Sequence, residues 1–175
     1  EYGFTKFIIV VPTVAIRTGV EKSIKMLKEH FKILYGIDVE KHSFVYDSKN
    51  IKSISTKLVE STDLSICIMN IQAFNKDSNK IRQEDEYGQI IWRDIQMIRP
   101  IVIIDEPQKI EGDGKKKSQS LKAIEELEPL FTLRYSATHK KLYNQIYKLD
   151  SFDAFEKDLV KKIEVKTINS MIPKS

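Results

Sequence analysis

The chain has 175 residues, 41% of them apolar, and carries 29 Lys and Arg against 25 Asp and Glu, a formal net charge of +4. That apolar share excludes a disordered chain, and the length suits one domain with a real core. The mild charge excess permits a nucleic-acid partner without demanding one. A single cysteine, Cys67 in the apolar run "SICIMN", excludes an intramolecular disulfide and a thiolate metal cluster and weakly favours a reducing compartment. No signal peptide is visible and no apolar run approaches the roughly 18 residues of a membrane span, so no membrane partner is expected. The chain opens on "EYGFTKFIIVVP" rather than on methionine. It reads as a piece of a longer protein.

In chain order, short apolar runs predict strands at Phe7–Val11, Ser43–Tyr46, Leu64–Met69, Ile101–Ile104 and Phe131–Tyr135. The first and fourth are continuous rather than alternating, as in strands buried on both faces. Helices fall between them. Val20, Ile24, Leu27, Phe31 and Leu34 recur at spacings of four and three, one apolar stripe on a single helix that Gly36 closes. Ile90–Ile98 and Leu121–Leu127 predict two more, the latter preceded by the capping serines Ser118 and Ser120 and stopped near Pro129. Alternation of this kind gives an α/β fold, a parallel sheet with helices on both faces, whose ligands bind beyond the carboxyl ends of the strands. The stretches 75–88 and 111–120 read as loops. No internal repeat is seen. The tail from Ser151 changes character, with Ile163 and Val165 alternating with charge, and predicts one more strand or a linker.

The stretch "PIVIIDEPQKIEG" joins an apolar strand directly to two carboxylates, Asp105 and Glu106, and then to Pro107. A residue before proline is pushed out of the right-handed helical region, so Glu106 is expected to stay extended. Successive side chains of an extended segment point to opposite sides. One carboxylate can then hold a hydrated Mg²⁺, while the other orients or deprotonates a water. That is the Walker-B role in phosphate-ester chemistry. A solvated acidic loop is the plain alternative. A second strand, "FTLRYSATHK", ends in Ser136-Ala137-Thr138, whose hydroxyls can bond a neighbouring carboxylate or loop. At the first strand's end, Thr13 is a natural helix N-cap, where free N–H groups attract a phosphate, and Arg17 lies one turn on. Gln72 and Asn75, after the third strand, are weaker phosphate contacts. Lys115, Lys116 and Lys117 form either a DNA contact or a solvated loop.

In order, "FIIVVPTVAIRTGV", "ICIMNIQAFN", "VIIDEPQ" and "LRYSATH" resemble motif Ia, the strand and loop after it, and motifs II and III of superfamily 2 helicases and translocases. The wording of "VVPTVAIRTGV", "DEPQKIEG", "RYSATH" and "DAFEKDLVKKIEV" is most similar to the Res subunit of Type III restriction-modification enzymes, over residues 2–168. The resemblance implies a three-layer RecA-like fold of the P-loop NTPase type. It makes residues 1–150 a partial first motor lobe and 151–175 a strand or linker towards a second. It implies ATP and Mg²⁺ as cofactors, double-stranded DNA and a Mod methyltransferase subunit as partners, and the cytoplasm of a prokaryote. It implies Mg²⁺ coordination, through water, for Asp105, and the role of base or water-orienter for Glu106. Gln108, Ser136 and Thr138 would couple the nucleotide site to DNA grip. Pro12, Thr13 and Arg17 would lie along the DNA backbone, with Gln72 nearby.

One departure matters. No G-x-x-x-x-G-K-[ST] occurs in the chain, and that loop is what cradles the phosphates of ATP. The expectation is that it lies upstream of Glu1, with the second lobe and the nuclease downstream of Ser175. The chain alone is then expected neither to hydrolyse ATP nor to cut DNA, though its parent does both. Two other readings stand beside this one: the motor lobe of another superfamily 2 protein (a Type I restriction subunit or a repair helicase), and a non-enzymatic α/β DNA-binding module.

Overall fold

The computed structural model describes residues 3–112, 117–136 and 143–161. The chain divides into two compact units, Glu1–Lys141 and Leu142–Ser175.

In the first unit, β1 (Lys6–Val11), β2 (Ser43–Val45), β3 (Ser65–Asn70), β4 (Ile101–Asp105) and β5 (Thr132–Tyr135) form one sheet in the order β2-β3-β1-β4-β5. Every neighbouring pair is parallel. All five strands expected from the apolar runs are present. The two continuous runs, β1 and β4, sit side by side with Ile8 opposite Val102 and Val10 opposite Ile104. Because β1 is the central strand, it has no free edge, and β2 and β5 are the edges.

The pleat separates the sheet into two unlike faces. On one, Ile8, Val10, Cys67, Met69, Val102 and Ile104 are buried in the main core. They meet Ile54 and Leu58 of a helical segment, Ile95 of α4 (Ile91–Ile98), and Ala123, Ile124 and Leu127 of α5 (Gln119–Glu126) and its cap. Burying one such Ile or Leu contributes about 1.5–3 kcal/mol. The helical segment is α3 (Lys52–Ile54), which runs on as a π-helical turn over Ser55–Val59. On the other face, Phe7, Ile9 and Ile103 are half-buried, beside the buried Val11, Ile68 and Ile101. There α1 (Val14–Met26) packs against β1 and β3 without burying a single residue completely. Helices thus lie on both faces, as expected, but unequally.

The stripe from Val20 to Leu34 is not one helix. It breaks at Leu27 (φ −91°, ψ 4°), and α2 (Lys28–Tyr35) follows. The Leu27 amide still bonds back to Ser23 O at 2.9 Å, so the chain bends there without losing the capping contact. Gly36 ends α2 in the left-handed region at φ 68°, a conformation that suits glycine. Ser118, not Ser120, caps α5, accepting from Leu121 N at 3.0 Å. Arg82 stacks on Trp92 (4.1 Å to the ring centre) while donating to Phe74 O and pairing with Glu126, which ties the loop 71–83 to α4 and α5.

The second unit contains α6 (Ser151–Glu156), begun by a capping box between Asp150 and Asp153. The tail is therefore helical where it starts, and the strand expected around Ile163 and Val165 lies outside the described residues. Lys148, hydrogen-bonded to Asp150, holds that carboxyl down at about 2. No helix among the described residues is long and apolar enough to cross a membrane.

Candidate functional site

The parallel sheet brings the carboxyl ends of all five strands to one edge, and the expected site residues gather there in two groups.

The first group lies beyond β4 and β5. Asp105 is the last residue of β4, opposite Tyr135, and the Glu106 amide donates to Tyr135 O at 3.0 Å. Glu106 is not extended. It sits in the left-handed region at φ 54°, ψ 55°. Pro107 does exclude the right-handed region, but the chain meets that restriction by turning left rather than by staying straight. The turn lets Pro107–Lys109 wind at once into a 3-10 helix, with Lys109 N and Ile110 N bonding back to Glu106 O and Pro107 O. A non-glycine residue held there costs of order 1–3 kcal/mol and persists only where its surroundings fix it. Here β5 fixes the amide and buried Pro107 fixes the exit.

That short helix brings Gln108 back over Glu106. Its Nε2 donates to Glu106 Oε2, and its Oε1 accepts from Ser136 Oγ at 2.7 Å. Gln108 therefore bridges the loop after β4 to the loop after β5. Lys109 Nζ lies 3.9 Å from Glu106 Oε2. Arg134 and Glu111, an ion pair shielded on both sides, clamp the same two segments together. Thr138, expected beside Ser136, lies outside the described residues. Burial at the strand end, and then the neighbouring Glu106 carboxylate, push the Asp105 carboxyl above its ordinary range, with the Glu106 amide and Lys109 pulling the other way. On the other side Asp105 borders a cavity of 430 Å³ walled by Ile16, Val20, Ile24, Leu27 and Phe31 of α1 and α2.

The second group lies beyond β1, β2 and β3. Thr13 caps α1 and accepts from Ile16 N at 3.3 Å. Gln72 Nε2 donates to Pro12 O at 3.0 Å, so Pro12, Thr13 and Gln72 are held together. Arg17 Nη1 donates to Asn70 Oδ1 at 3.1 Å, and its Nε lies 3.6 Å from Glu21 Oε1. Arg17, Asn70 and Gln72 wall a second cavity of 410 Å³ together with Tyr46, Asn79 and Lys80. Asn75 is not part of it. Its amide donates to Ser120 Oγ at 3.2 Å, turning it towards α5. Lys117 pairs with Glu125 at 2.8 Å, as a solvated loop lysine does, and Lys115 and Lys116 lie outside the described residues.

Two members of these groups were not singled out by the sequence: Asn70, inside the quoted "ICIMNIQAFN", and Tyr46 each show only a polar atom ending an otherwise apolar run. The Glu111–Arg134 pair spans 23 residues and left no local trace.

A divalent cation fits the first group on the character of its donors. Among the described residues no three His, Cys, Asp or Glu side chains converge into an all-protein metal site. Mg²⁺ does not require one, since it is usually held by one or two carboxylates with waters and substrate phosphates. Two adjacent carboxylates, one of them already disfavoured as an anion by burial and by its neighbour, meet that description.

The family model described as "Type III restriction enzyme, res subunit" matches residues 1–141. The chain is 30% identical over 184 residues to the Type III restriction-modification enzyme EcoPI Res subunit of Escherichia phage P1, covering 93% of this chain and 18% of that protein. It is 31% identical to the EcoP15I Res subunit of Escherichia coli with the same two coverages, and 28% identical over 204 residues to the StyLTI Res subunit of Salmonella typhimurium, covering 94% of this chain and 20% of that one. It spans about a fifth of the length of these relatives. With a family-model match over residues 1–141 and relatives at 30–31% identity over 93% of its length, the chain belongs to the Type III restriction enzyme Res subunit family.

Proposed function

We propose that this chain forms the metal- and water-handling half of the ATP site in the DNA-translocating motor of a Type III restriction endonuclease, together with part of its DNA track. The observation that carries the reading is the bridge Glu106–Gln108–Ser136, which links an acidic strand end to the next strand through hydrogen bonds of unambiguous direction. Bound Mg²⁺ would neutralise charge on the ATP phosphates. Asp105, at the end of β4, would hold it through water. Glu106 is the residue to orient or deprotonate the attacking water. Asp105 borders the cavity walled by α1 and α2 while Glu106 is held by Gln108, so the two acids would serve different partners even though the segment is not extended.

Gln108 reads the state of Glu106. When the Glu106 carboxylate engages a water, its bond from Gln108 Nε2 weakens, and Gln108 Oε1 then loosens its hold on Ser136. Pro12, Thr13 and Arg17, with Gln72, would face duplex DNA, and α1 would offer its N-terminus to a phosphate. The phosphate-holding loop, the second lobe, the nuclease and the contact with a Mod subunit would come from other parts of a protein of the relatives' length, in a prokaryotic cytoplasm.

The test is ATP hydrolysis by the full-length Res protein that carries this sequence, with its Mod partner and duplex DNA. Glu106→Gln is expected to lower the rate by about 10²–10⁴, the usual worth of a positioned base. A rate equal to that of the unaltered protein would refute the assignment.

A further inference from the structure

The loop after β4 is fixed at its far end by an ion pair in an unexpected place. Arg134 stands opposite Ile104 in the register of β4 and β5, so it lies on the sheet face that carries the main core. Its Nη2 donates to Glu111 Oε1, and the two side chains are only 15% and 11% exposed. Two charges withdrawn from water attract each other strongly, but the lost hydration offsets most of the gain. An apolar pair of similar volume is often equally stabilising or more so. Stability is therefore a poor reason for an arginine at this position.

Geometry is a better one. Residues 106–111 form one short winding, in which Lys109 N bonds to Glu106 O and both Ile110 N and Glu111 N bond to Pro107 O. Its start is anchored on β5 where the Glu106 amide donates to Tyr135 O. Its end is anchored on the same strand by Glu111 and Arg134, next to Ile110, which is buried and whose carbonyl accepts from Ser118 Oγ at 2.7 Å. Gln108 lies between the two anchors, and the Ser136 hydroxyl that donates to it follows directly on β5. The ion pair and the Gln108 bridge thus refer to the same strand end. The Arg134 guanidinium is a planar, rigid fork, so its contact sets the angle of the winding as well as its distance from β5.

We propose that Glu111 and Arg134 are positioning residues for ATP hydrolysis, holding the 106–111 winding in the rotation that brings Gln108 onto Glu106. The assignment rests on the ATP-site reading above and adds two residues which that reading does not use. They act through Gln108, not on the nucleotide or the water.

The test replaces the pair with an apolar one of similar size, Glu111→Leu together with Arg134→Met, in the full-length Res protein with its Mod partner and duplex DNA. ATP hydrolysis and Tm are measured side by side. The double variant is expected to keep or raise Tm and to keep the KM for ATP, while kcat falls about 10- to 100-fold, the scale of a reacting group misplaced from a distance. In a Gln108→Ala background the same two substitutions should lower kcat no further, because the route through Gln108 is already cut. An unaltered kcat in the double variant overturns the proposal. A lowered Tm does so too, since it marks a stabilising role, and so do losses that simply multiply in the Gln108→Ala background. Glu106→Gln belongs in the same assay. If it hydrolyses ATP normally, the ATP-site reading itself falls. If it fails to hydrolyse while the apolar pair supports the full rate, only the positioning role is lost.

Discussion

The two ends of the sheet's carboxyl edge solve opposite problems. Beyond β1 and β3, polar side chains are locked by hydrogen bonds (Gln72 to Pro12 O, Arg17 to Asn70 Oδ1, Asn79 to Gln72 O) on a backbone without left-handed residues. Beyond β4 and β5, acceptors are left over instead: two adjacent carboxylates at a non-glycine left-handed residue, with a single glutamine spanning to the next strand. On the proposed reading the first region grips a phosphate of the DNA, and the second, with its strained backbone and crowded carboxylates, takes a cation and a water. Strain of this kind persists only where surrounding structure over-determines it, and the β5 carbonyl and Pro107 are what do so.

The largest effect that separates the two regions is catalytic, the loss of hydrolysis in Glu106→Gln already described, with no matching loss in Thr13→Ala. Next comes packing, which tests the unequal faces on which both regions rest. Ile104→Ala, on the buried face, is expected to cost about 2–5 kcal/mol in urea unfolding. Ile103→Ala, one residue earlier and only half-buried on the opposite face, should cost clearly less. Equal costs would mean that the faces are equally packed.

Smaller is the strain itself. Glu106→Gly should raise stability by about 1 kcal/mol, since glycine adopts the left-handed region freely, and should abolish hydrolysis all the same. A loss of stability would show that the residue is not strained. Smallest is the pH response of Asp105. Its folded carboxyl lies above the unfolded value, so its contribution favours folding at low pH and is lost as pH rises through the folded value. Asp105→Asn should flatten that part of the stability profile, read as Tm against pH between about pH 3 and 6.

Much of this arrangement was legible in the sequence because buried parallel strands are written as unbroken apolar runs, and all five strands lie where those runs are. The end of such a run marks the carboxyl edge, which is why Asp105, Glu106 and Thr13 could be placed before any geometry was known. The handedness of Glu106 could not, because Pro107 forbids one backbone region without choosing between the two that remain. The break at Leu27 has neither glycine nor proline to announce it. The helical segment at 52–59 was readable in principle, for Ile51, Ile54 and Leu58 recur at helical spacing, but the polar residues around them in "DSKNIKSISTKLVE" hide the stripe. The Arg17–Asn70 and Gln108–Ser136 contacts join residues 53 and 28 positions apart, and local patterns carry no information about such pairs.

The central claim is that two adjacent acids do different jobs. The direct measurement is Mg²⁺-dependent ATP affinity and the hydrolysis rate, taken side by side in the full-length Res protein for Asp105→Asn and Glu106→Gln. The account predicts that Asp105→Asn loses the Mg²⁺ dependence of nucleotide binding, while Glu106→Gln binds nucleotide with Mg²⁺ as before and fails to hydrolyse it. Two variants with the same defect, or a Glu106→Gln protein that hydrolyses ATP normally, would contradict it.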